Sequence, residues 1–443
     1  MPEEERPEQA RLALFVGLLL FALLPHAVRF SRIASEIWAE LLLEAQSDKP
    51  RTTSATPQAL LAAAHKKYPG SYLAYAGPEL ADAYLVIPHW LGRNASTEEE
   101  LGELSLVYHA SVSRLANLPL VGLRWEGPVE LSVLVSSAGE FRVLLDLGRL
   151  LRACFPSTSL WAVHAVFPLS VLRITESRSE PELFLAADDE DQDSFRFTTC
   201  QELYQLGRLT ELEKAKQAYP SNLLREVGRG QLQTAFQLHL DADCLPMGSL
   251  GGLNHLLSSF QPFLTNTALI LPAFELDAAA CSLTSAHLPI TKPELLAAFR
   301  AATARPFYST VNQAVHVSTD YARWFRLRRD DPRLKGEVNL AYWLEWASPY
   351  EPFVIVHKSA PPLDPRFAGY GVNRLSWLCE LWQAGLDFAV LDSAAILHCG
   401  LKSKASAHGG LDKQASLSAN QALYTGPFQQ SLAQKYPDSQ RTC

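Results

Sequence analysis

Two aspartates that directly follow an apolar run are the strongest chemical signal in this sequence. The run Phe236–Leu240 has the composition of a buried strand, and Asp241, Ala242 and Asp243 come immediately after it. Side chains two positions apart on an extended chain point to the same side, so both carboxylates face one site. Carboxylate oxygens suit Mg²⁺ and Mn²⁺, and such an ion can neutralise a nucleotide diphosphate as it leaves. Ordinary acidic turns carry the same pattern, so the surrounding elements must decide between the two interpretations.

Those elements predict an α/β fold. Leu123–Ser137 has the composition of a strand, Phe141–Cys154 has apolar residues at helical spacing, and Leu160–Phe167 is a second apolar run. Strand, helix and strand at this spacing are typical of a βαβ unit, and hence of a mostly parallel sheet covered by helices. Further strands are predicted at Ala268–Leu271 and Phe353–Val356. Ligands of such sheets bind beyond the carboxyl ends of the strands, where the two aspartates are expected.

A helix is predicted just before the strand that carries the aspartates. Helical periodicity extends from Gln201 to Arg229, and Ser221 or Asn222 has the residue type of a helix start. Two arginines of this segment, Arg225 and Arg229, either reach the site or face solvent, and the sequence leaves both interpretations open.

Composition excludes several classes of protein. The chain has 443 residues, of which 48% are hydrophobic and 19% charged, and its net charge is −8. A charged fraction below the ~25% usual for soluble domains excludes a disordered protein, and the acidic balance argues against a nucleic-acid binder. The acidic cluster Asp188–Asp193 is expected to be a solvated loop, because its like charges repel.

The N-terminal region contains an uncharged stretch between Arg11 and Arg29. A membrane-spanning helix needs ~17–25 residues, so residues 12–28 are predicted to be a short single-pass anchor. A cleaved signal peptide and a buried helix are the alternatives. The resulting organisation is a tail over residues 1–11, the anchor, a Ser/Thr/Pro-rich stem over residues 29–60 and one catalytic domain over residues 61–443.

The cysteines and one sequon bear on the compartment. Seven cysteines are present and none forms a C-x-x-C pair, which argues against a zinc cluster and allows up to three disulfides, or none. Asn94 begins the only N-x-S/T sequon, in a polar stretch that is typical of a surface loop. If the body of the protein is luminal, Asn94 is a predicted glycosylation site.

Several short motifs occur in an order that resembles one enzyme family. They are, in sequence order, YPSNLLREVGR, DAD, LPAFE, YEPFVIV, DPRFAGYGVNR and ILH. Together they resemble glycosyltransferase family forty-nine, the LARGE-type and β-1,4-glucuronyltransferase family, over about residues 100–437. The resemblance implies a GT-A fold, a UDP-sugar donor, a glycoprotein glycan as acceptor, inverting transfer and dependence on Mn²⁺, with Mg²⁺ as an alternative. It also implies a type II Golgi membrane protein with a luminal catalytic domain, although the flanking charges alone favour the opposite orientation. A homodimer is one expected assembly.

The resemblance also implies roles for particular residues. The implied metal ligands are Asp241, Asp243 and His398. The implied nucleotide-sugar-binding residues are Asn222, Arg225, Arg229, Asp241, Gly371, Asn373 and Arg374. Gly369 and Gly371 would let the backbone approach the sugar closely, although a tight turn alone would also need glycine.

Three acids in the matching motifs are candidates for the catalytic base. An inverting displacement needs a group that takes the proton of the acceptor hydroxyl. Asp364 is the first candidate and Glu351 the second, with Glu275 a further acid in a matching motif. Arg366 would remove Asp364 from this role if the two formed a structural ion pair. On the acceptor side, His316, Asp320 and Trp324 lie in a segment similar to the family's, and Trp324 would either stack on a sugar or belong to the core.

The sequence departs from the family at positions that affect specificity. The second histidine that usually follows the metal histidine is displaced to His408 or absent, and Arg374 replaces the usual lysine. Glucuronic acid is the first expectation for the donor sugar, with Arg374 or Lys358 as the cation for its carboxylate. Xylose, N-acetylglucosamine, or an inactive glycan-binding paralogue are the alternatives, and the presence of both aspartates argues against the last.

Overall fold

The computed structural model of the protein describes residues 52–53, 56–77, 82–93, 102–175, 182–185, 199–200, 202, 218–247, 253, 256–258, 261–281, 288–327, 339–392, 394–403 and 411–443. The predicted tail and anchor, most of the predicted stem, the sequon at Asn94, the acidic cluster Asp188–Asp193 and His408 lie outside these residues. Within the described ranges, no helix combines the length and the apolar character that crossing a membrane requires.

The chain divides into two units. The first comprises Met1–Thr53 with Thr175–Glu182, and the second comprises Ser54–Ile174 with Leu183–Cys443. The second unit contains the ten-stranded sheet and the candidate site that are described below.

Ten α-helices lie in the described residues. In chain order they are α1 Pro57–Lys67, α2 Leu118–Arg124, α3 Ala138–Cys154, α4 Ser221–Arg229, α5 Gln261–Leu264, α6 Lys292–Arg300, α7 Tyr321–Arg326, α8 Asn373–Gln383, α9 Leu411–Leu423 and α10 Gln429–Lys435. Short 3₁₀ segments cover Val112–Asn117, Pro156–Leu160, Leu169–Val171, Ala278–Cys281 and Gln313–Val315, and one π-helical turn covers Tyr424–Phe428.

Seventeen strands lie in the same ranges. They are β1 Thr52–Thr53, β2 Tyr72–Tyr75, β3 Ala83–Leu91, β4 Leu104–Ser111, β5 Val129–Leu134, β6 Trp161–Pro168, β7 Leu172–Thr175, β8 Glu182–Leu185, β9 Phe236–Asp241, β10 Cys244–Met247, β11 Thr267–Leu271, β12 Ala273–Leu276, β13 Ala304–Pro306, β14 Leu340–Leu344, β15 Phe353–His357, β16 Asp387–Leu391 and β17 Ala395–Cys399.

A ten-stranded mixed sheet forms the centre of the second unit. Its strand order is β14-β16-β11-β15-β9-β4-β5-β6-β3-β2. The neighbours β9, β4, β5 and β6 are parallel, as are β11 and β16, whereas the other pairs are antiparallel. The predicted α/β class and the βαβ unit, which is β5-α3-β6, are confirmed, but the sheet is parallel only in part. A smaller sheet, β10-β17-β12-β13, adjoins the carboxyl end of β9 in sequence.

Two predicted boundaries differ from the structure. The strand predicted from Leu123 begins at Val129, because Leu118–Arg124 is helical with a proline in its first turn. Of the helix predicted from Gln201, Glu202 and residues 218–229 are described, and there Pro220 precedes α4, which begins at Ser221. Proline has no N–H to donate and a fixed φ, so it suits the residue just before a helix better than its interior.

The packing of α4 on the sheet explains its position behind the site. Leu223, Leu224 and Val227 of α4 pack in one buried cluster with residues of β3 and β6. Gly228 lies so close to β4 that a Cβ atom there would be 2.9 Å from Val107 Cγ1. The absence of a side chain at Gly228 therefore lets α4 lie directly against the sheet.

Three disulfides form, which is the upper limit that the sequence allowed. They join Cys154 to Cys200, Cys281 to Cys399 and Cys379 to Cys443, while Cys244 is a free, buried thiol. Each such bond typically adds about 2–4 kcal/mol of stability by restricting the unfolded chain.

Candidate active site

The two aspartates lie where the carboxyl ends of neighbouring parallel strands meet. His109, near the end of β4, is the register partner of Asp241 at the end of β9. Asp241 and Asp243 both line a cavity of about 950 Å³. The local pattern of a strand followed by D-x-D therefore does place both carboxylates at one opening, as the sequence predicts.

Asp241 is held by three donors. Its Oδ1 accepts hydrogen bonds from Arg225 Nη2 at 2.8 Å and His109 Nε2 at 3.3 Å, and its Oδ2 accepts from Arg374 Nη2 at 2.6 Å. Burial alone would raise the pKa of Asp241, but Arg374, His109 and Arg225 together hold it well below its usual value. Arg374 also stacks on the ring of Phe353, 4.0 Å from its centroid. Asp241 is therefore a fixed carboxylate whose charge is already balanced by two guanidinium groups.

His109 is neutral in this arrangement. Burial, followed by the positive charge of Arg225, lowers its pKa to about 4. Its Nδ1 lies 2.8 Å from the hydroxyl of Tyr219, which can donate, so the ring proton belongs on Nε2 facing Asp241.

Two of the residues predicted on α4 connect the helix to the site. Arg225 is buried and bonds to Asp241, so the solvent-facing alternative is wrong for this residue. Asn222 is fully buried, accepts from Arg225 Nη1 at 2.8 Å, and donates to the carbonyls of Asp364 and Asn373, each at 3.1 Å. Asn222 therefore positions the site instead of facing the cavity.

Arg229 lies apart from these contacts. Its Nη2 donates to the carbonyl of Ala360 at 2.8 Å and its Nη1 pairs with Glu226 at 3.3 Å. The structure thus gives Arg229 a role in joining α4 to the loop after β15, and does not bring it to Asp241.

Asp243 and His398 form the part of the site that best fits a metal ion. His398 Nδ1 lies 2.8 Å from the carbonyl of Gly400, which can only accept, so this nitrogen carries a proton. In a neutral imidazole, Nε2 then presents its lone pair to Asp243 Oδ2, 2.8 Å away. Two acceptors at this distance need a proton or a metal cation between them. Bonding of the second ring nitrogen to a backbone carbonyl is also the usual arrangement of a metal-binding histidine.

One carboxylate oxygen of each aspartate and the sulfur of Cys244 lie within 4.8 Å of one another. Burial raises the pKa of Asp243. Where a proton and not a metal ion lies between Asp243 and His398, the hydrogen bond from His398 and the charges of His398 and Lys402 lower that pKa to about 2. His398, the third ligand that the resemblance implies, is not part of this group but contacts Asp243 at 2.8 Å. Carboxylate and imidazole donors of this kind fit a divalent ion such as Mn²⁺.

Glu275 is a structural carboxylate, which argues against it as a base. It is fully buried and accepts three hydrogen bonds, from Arg305 Nε at 2.7 Å, the Tyr308 amide at 2.9 Å and the Lys402 amide at 3.0 Å. It thereby fixes the backbone of two residues next to the aspartates.

We expect Glu275→Gln to lower the free energy of unfolding by about 1–3 kcal/mol, because an amide has one acceptor oxygen where Glu275 uses two and leaves a buried donor unsatisfied. Denaturant titration with the disulfides intact measures the loss. The exposed Glu345→Gln serves as the control. Equal stability of the two variants would contradict this role of Glu275.

The two candidate bases lie in different cavities. Asp364 receives a bidentate ion pair from Arg366, with Nε and Nη2 at 3.0 and 2.6 Å from Oδ2, and it lines a separate cavity of about 510 Å³. Glu351 lines the cavity of Asp241. Burial raises the pKa of Glu351, with Arg374 opposing the effect. The ranking of Asp364 before Glu351 is therefore reversed by position, and the structural ion pair with Arg366 is the alternative that the structure favours.

Gly369 and Gly371 were expected to let the backbone approach the sugar, but the structure gives another reason why both positions need glycine. Gly369 and Gly371 have φ values of +72° and +85°, which favour glycine. A Cβ atom at Gly371 would lie 2.5 Å from Leu417 Cδ1, and one at Gly369 would lie 2.7 Å from Ser416 Cβ. Close packing against α9 therefore suffices to require both glycines, while their backbone also lines the cavity.

Three further expectations can be located. Trp324 is completely buried and its Nε1 donates to the carbonyl of Leu391, so the core interpretation holds and stacking on a sugar is wrong. His316 lines the cavity and is neutral, because burial lowers its pKa to about 3. The backbone amide of Lys358 donates to the carbonyl of Ala235, which is six residues before Asp241, or about 20 Å along the chain at ~3.3 Å per residue.

Several site residues were not predicted. His109 bonds to Asp241, Tyr308 lines the cavity with a strained φ of +60°, and Lys402 Nζ lies 3.3 Å from Asp243 Oδ2. The signal for His109 is a polar residue near the end of an apolar run, and for Lys402 it is the departure from the family pattern after His398.

Comparison with known proteins agrees with the motifs. A family model described as glycosyl-transferase for dystroglycan matches residues 103–437. Beta-1,4-glucuronyltransferase 1 of Homo sapiens is 31% identical over 355 residues, which are 78% of this chain and 79% of that protein. Xylosyl- and glucuronyltransferase LARGE1 of Danio rerio is 32% identical over 186 residues, 42% of this chain and 22% of that protein. A crystal structure of GalNAc-T7 with UDP, GalNAc and Mn²⁺ overlaps with a TM-score of 0.37 at 12% identity, covering 77% of this chain and 52% of that chain.

Proposed function

Because the chain belongs to the family described as glycosyl-transferase for dystroglycan, we propose that it is a metal-dependent, inverting glycosyltransferase of GT-A fold. In this proposal it moves glucuronic acid from UDP-glucuronic acid to a glycan of a glycoprotein. The observation that carries the proposal is the cluster of Asp241, Asp243 and His398 at the carboxyl edge of the parallel strands, together with the family match.

The proposed metal ligands are Asp243 and His398, with Asp241 beside them. When bound, a Mn²⁺ or Mg²⁺ ion supplies positive charge to the diphosphate leaving group. The protein residues contribute orientation: Arg225 and Arg374 fix Asp241, and the carbonyl of Gly400 fixes the ring of His398. Such partners of metal ligands typically affect metal affinity about 10–100-fold.

The proposed base is Glu351. In the transfer, the acceptor hydroxyl oxygen attacks the anomeric carbon, the bond from that carbon to the phosphate oxygen breaks, and UDP leaves with the electron pair. The hydroxyl proton passes to Glu351. A carboxylate with a raised pKa is a better proton acceptor, and Glu351 has this property because it is half-buried beside the cavity.

The names of the relatives and the cations near the site bear on the donor sugar. Two relatives that the chain resembles are named glucuronyltransferases, and one of these is also named a xylosyltransferase. Arg374 is bound to Asp241 and Lys358 lies at the far end of β9, so the structure gives neither residue particular support as the cation for a donor carboxylate. UDP-xylose is therefore the second candidate donor, with UDP-N-acetylglucosamine after it.

We propose a Golgi location with a luminal catalytic domain and a type II anchor at residues 12–28. Three disulfides in the second unit support an oxidising compartment, since such bonds are rare in the cytosol. The uncharged N-terminal stretch supports the anchor. Glycosylation at Asn94 would follow from the same topology.

A donor panel tests the proposed function. The protein is incubated with Mn²⁺, a set of UDP-sugars and glycan acceptors. We expect UDP release to be fastest with UDP-glucuronic acid and to stop when EDTA removes the metal. Mass spectrometry identifies the product, and the configuration of the new bond tests inversion. Equal transfer with and without EDTA would contradict the metal-dependent mechanism, and no transfer from any donor would contradict the enzymatic function.

A further inference from the structure

A lysine lies against the carboxylate that the proposed metal ion would use. Lys402 Nζ is 3.3 Å from Asp243 Oδ2, the same oxygen atom that faces His398 Nε2 at 2.8 Å. Asp243 is the more accessible of the two aspartates, with its side chain 46% exposed, whereas both oxygens of Asp241 are occupied by other residues of the chain.

The position of Lys402 is fixed by its backbone. Its amide donates to the buried Glu275, and its carbonyl accepts from Arg305 and, at 3.1 Å, from Thr310 Oγ1. The disulfide from Cys281 to Cys399 holds the chain three residues earlier. A lysine of an unconstrained surface loop would have none of these anchors, so the ammonium group is delivered to Asp243 by a built segment.

Two cations cannot share Asp243 Oδ2 without repelling each other. A divalent ion between Asp243 and His398 would lie within a few ångströms of the lysine ammonium group, where repulsion between charges is strong. The ammonium group must then turn away from Asp243, and a flexible four-carbon side chain allows this movement. An anion beside the metal ion would favour this movement of the ammonium group, and phosphate oxygens are good acceptors for a lysine ammonium group.

We propose that Lys402 couples metal binding to nucleotide binding, by neutralising Asp243 in the free protein and moving to the diphosphate when the nucleotide and metal ion bind. The proposal rests on the proposed function for the location of the metal ion and the diphosphate. It assigns Lys402 a role in binding that leaves the identity of the donor sugar open.

If Lys402 couples the two binding events, its removal should change the affinities for Mn²⁺ and for UDP in opposite directions. Removing the ammonium group frees Asp243, so Lys402→Gln is expected to bind Mn²⁺ more tightly than the unmodified protein when nucleotide is absent. The same change removes a cation from the diphosphate, so UDP is expected to bind more weakly when Mn²⁺ is saturating. Since coupling between two ligands is reciprocal, the factor by which UDP tightens Mn²⁺ binding should fall.

A titration of the whole protein with Mn²⁺ tests this coupling. Electron paramagnetic resonance measures the free ion, and the titration is carried out with and without UDP. Couplings of about 5–150-fold are typical, and we expect Lys402→Gln to lose most of the coupling. Lys402→Arg keeps the charge and should retain it, which separates a charge effect from a disturbance of the loop. Lys358→Gln, at the far end of β9, is the matched control.

Equal Mn²⁺ affinity and equal coupling in the unmodified protein and Lys402→Gln would overturn the inference while leaving the proposed function intact. Intact coupling without sugar transfer from any donor would leave the inference standing and contradict the proposed function. Failure of the unmodified protein to bind Mn²⁺ under either condition would overturn both the inference and the metal site.

Discussion

Asp243→Asn should reduce kcat/KM for sugar transfer by about 1,000-fold or more while the protein stays folded. The asparagine has the same shape but no charge, so the proposed metal site loses the carboxylate that faces His398. Metal ions contribute several kcal/mol of charge stabilisation to such reactions, and each 1.36 kcal/mol corresponds to a factor of ten in rate. Initial rates of UDP release at saturating Mn²⁺ measure the loss.

The fold should tolerate this change, since the Asp243 side chain is 46% exposed and an asparagine keeps an oxygen atom that can accept a hydrogen bond from His398 or Lys402. Circular dichroism and the thermal unfolding midpoint check that the variant is folded. Asp364→Asn is the matched control: the same substitution, in a carboxylate bound to Arg366 and lining the other cavity. If Asp243→Asn kept wild-type activity, the metal site would lie elsewhere.

Glu351→Gln should lower kcat by about 100- to 10,000-fold, which is the usual contribution of a general base. Substrate binding should change much less, so KM for the donor should stay within a few-fold of its original value. The measurement is a steady-state titration of donor and acceptor for Glu351→Gln and Asp364→Asn in parallel. A large loss in Asp364→Asn with activity retained in Glu351→Gln would restore Asp364 as the base.

The pH dependence gives a second test of Glu351. The base must be ionised, and burial raises its pKa, so the rate should increase with pH as Glu351 loses its proton, and this limb should vanish in the glutamine variant. For stability the sign is opposite. A carboxyl group whose pKa is raised by folding stabilises the fold below its unfolded pKa of ~4.3, and this contribution is lost as pH rises through the folded value. At neutral pH, Glu351→Gln should therefore unfold at the same or a higher temperature than the unmodified protein.

The local pattern of the sequence is sufficient to place some of these residues in the site. Asp241 and Asp243 could be placed because a strand fixes the direction of side chains two positions apart, and the ends of parallel strands meet. His398 lies 155 positions from Asp243 along the chain, and only the family motif pointed to it; the pairing of β10 with β17 brings the two together.

Other placements depend on contacts that no short pattern encodes. Asp364 and Glu351 are equivalent as acids in matching motifs, and the ion pair with Arg366 and the position of the cavity distinguish them. Lys402 and Tyr308 reach the site because the buried Glu275 accepts hydrogen bonds from both backbones. Leu118–Arg124 was included in part in a predicted strand because its apolar composition does not distinguish a short buried helix from a strand.

The loop that contains Gly369 and Gly371 depends on α9, and this dependence has a consequence for biosynthesis. Asn420 of α9 is buried, and its Nδ2 donates to the carbonyls of Ala368, Tyr370 and Gly371 at 2.9, 3.2 and 2.8 Å. The loop next to Arg374 is therefore completed by a helix that the ribosome makes about 50 residues later. The central sheet can form before that helix has been made, but the loop cannot reach its final shape. A nascent or truncated chain that ends before Asn420 would thus contain the two aspartates of the proposed metal site without the finished loop beside them, and we expect transfer activity only once synthesis has passed this residue.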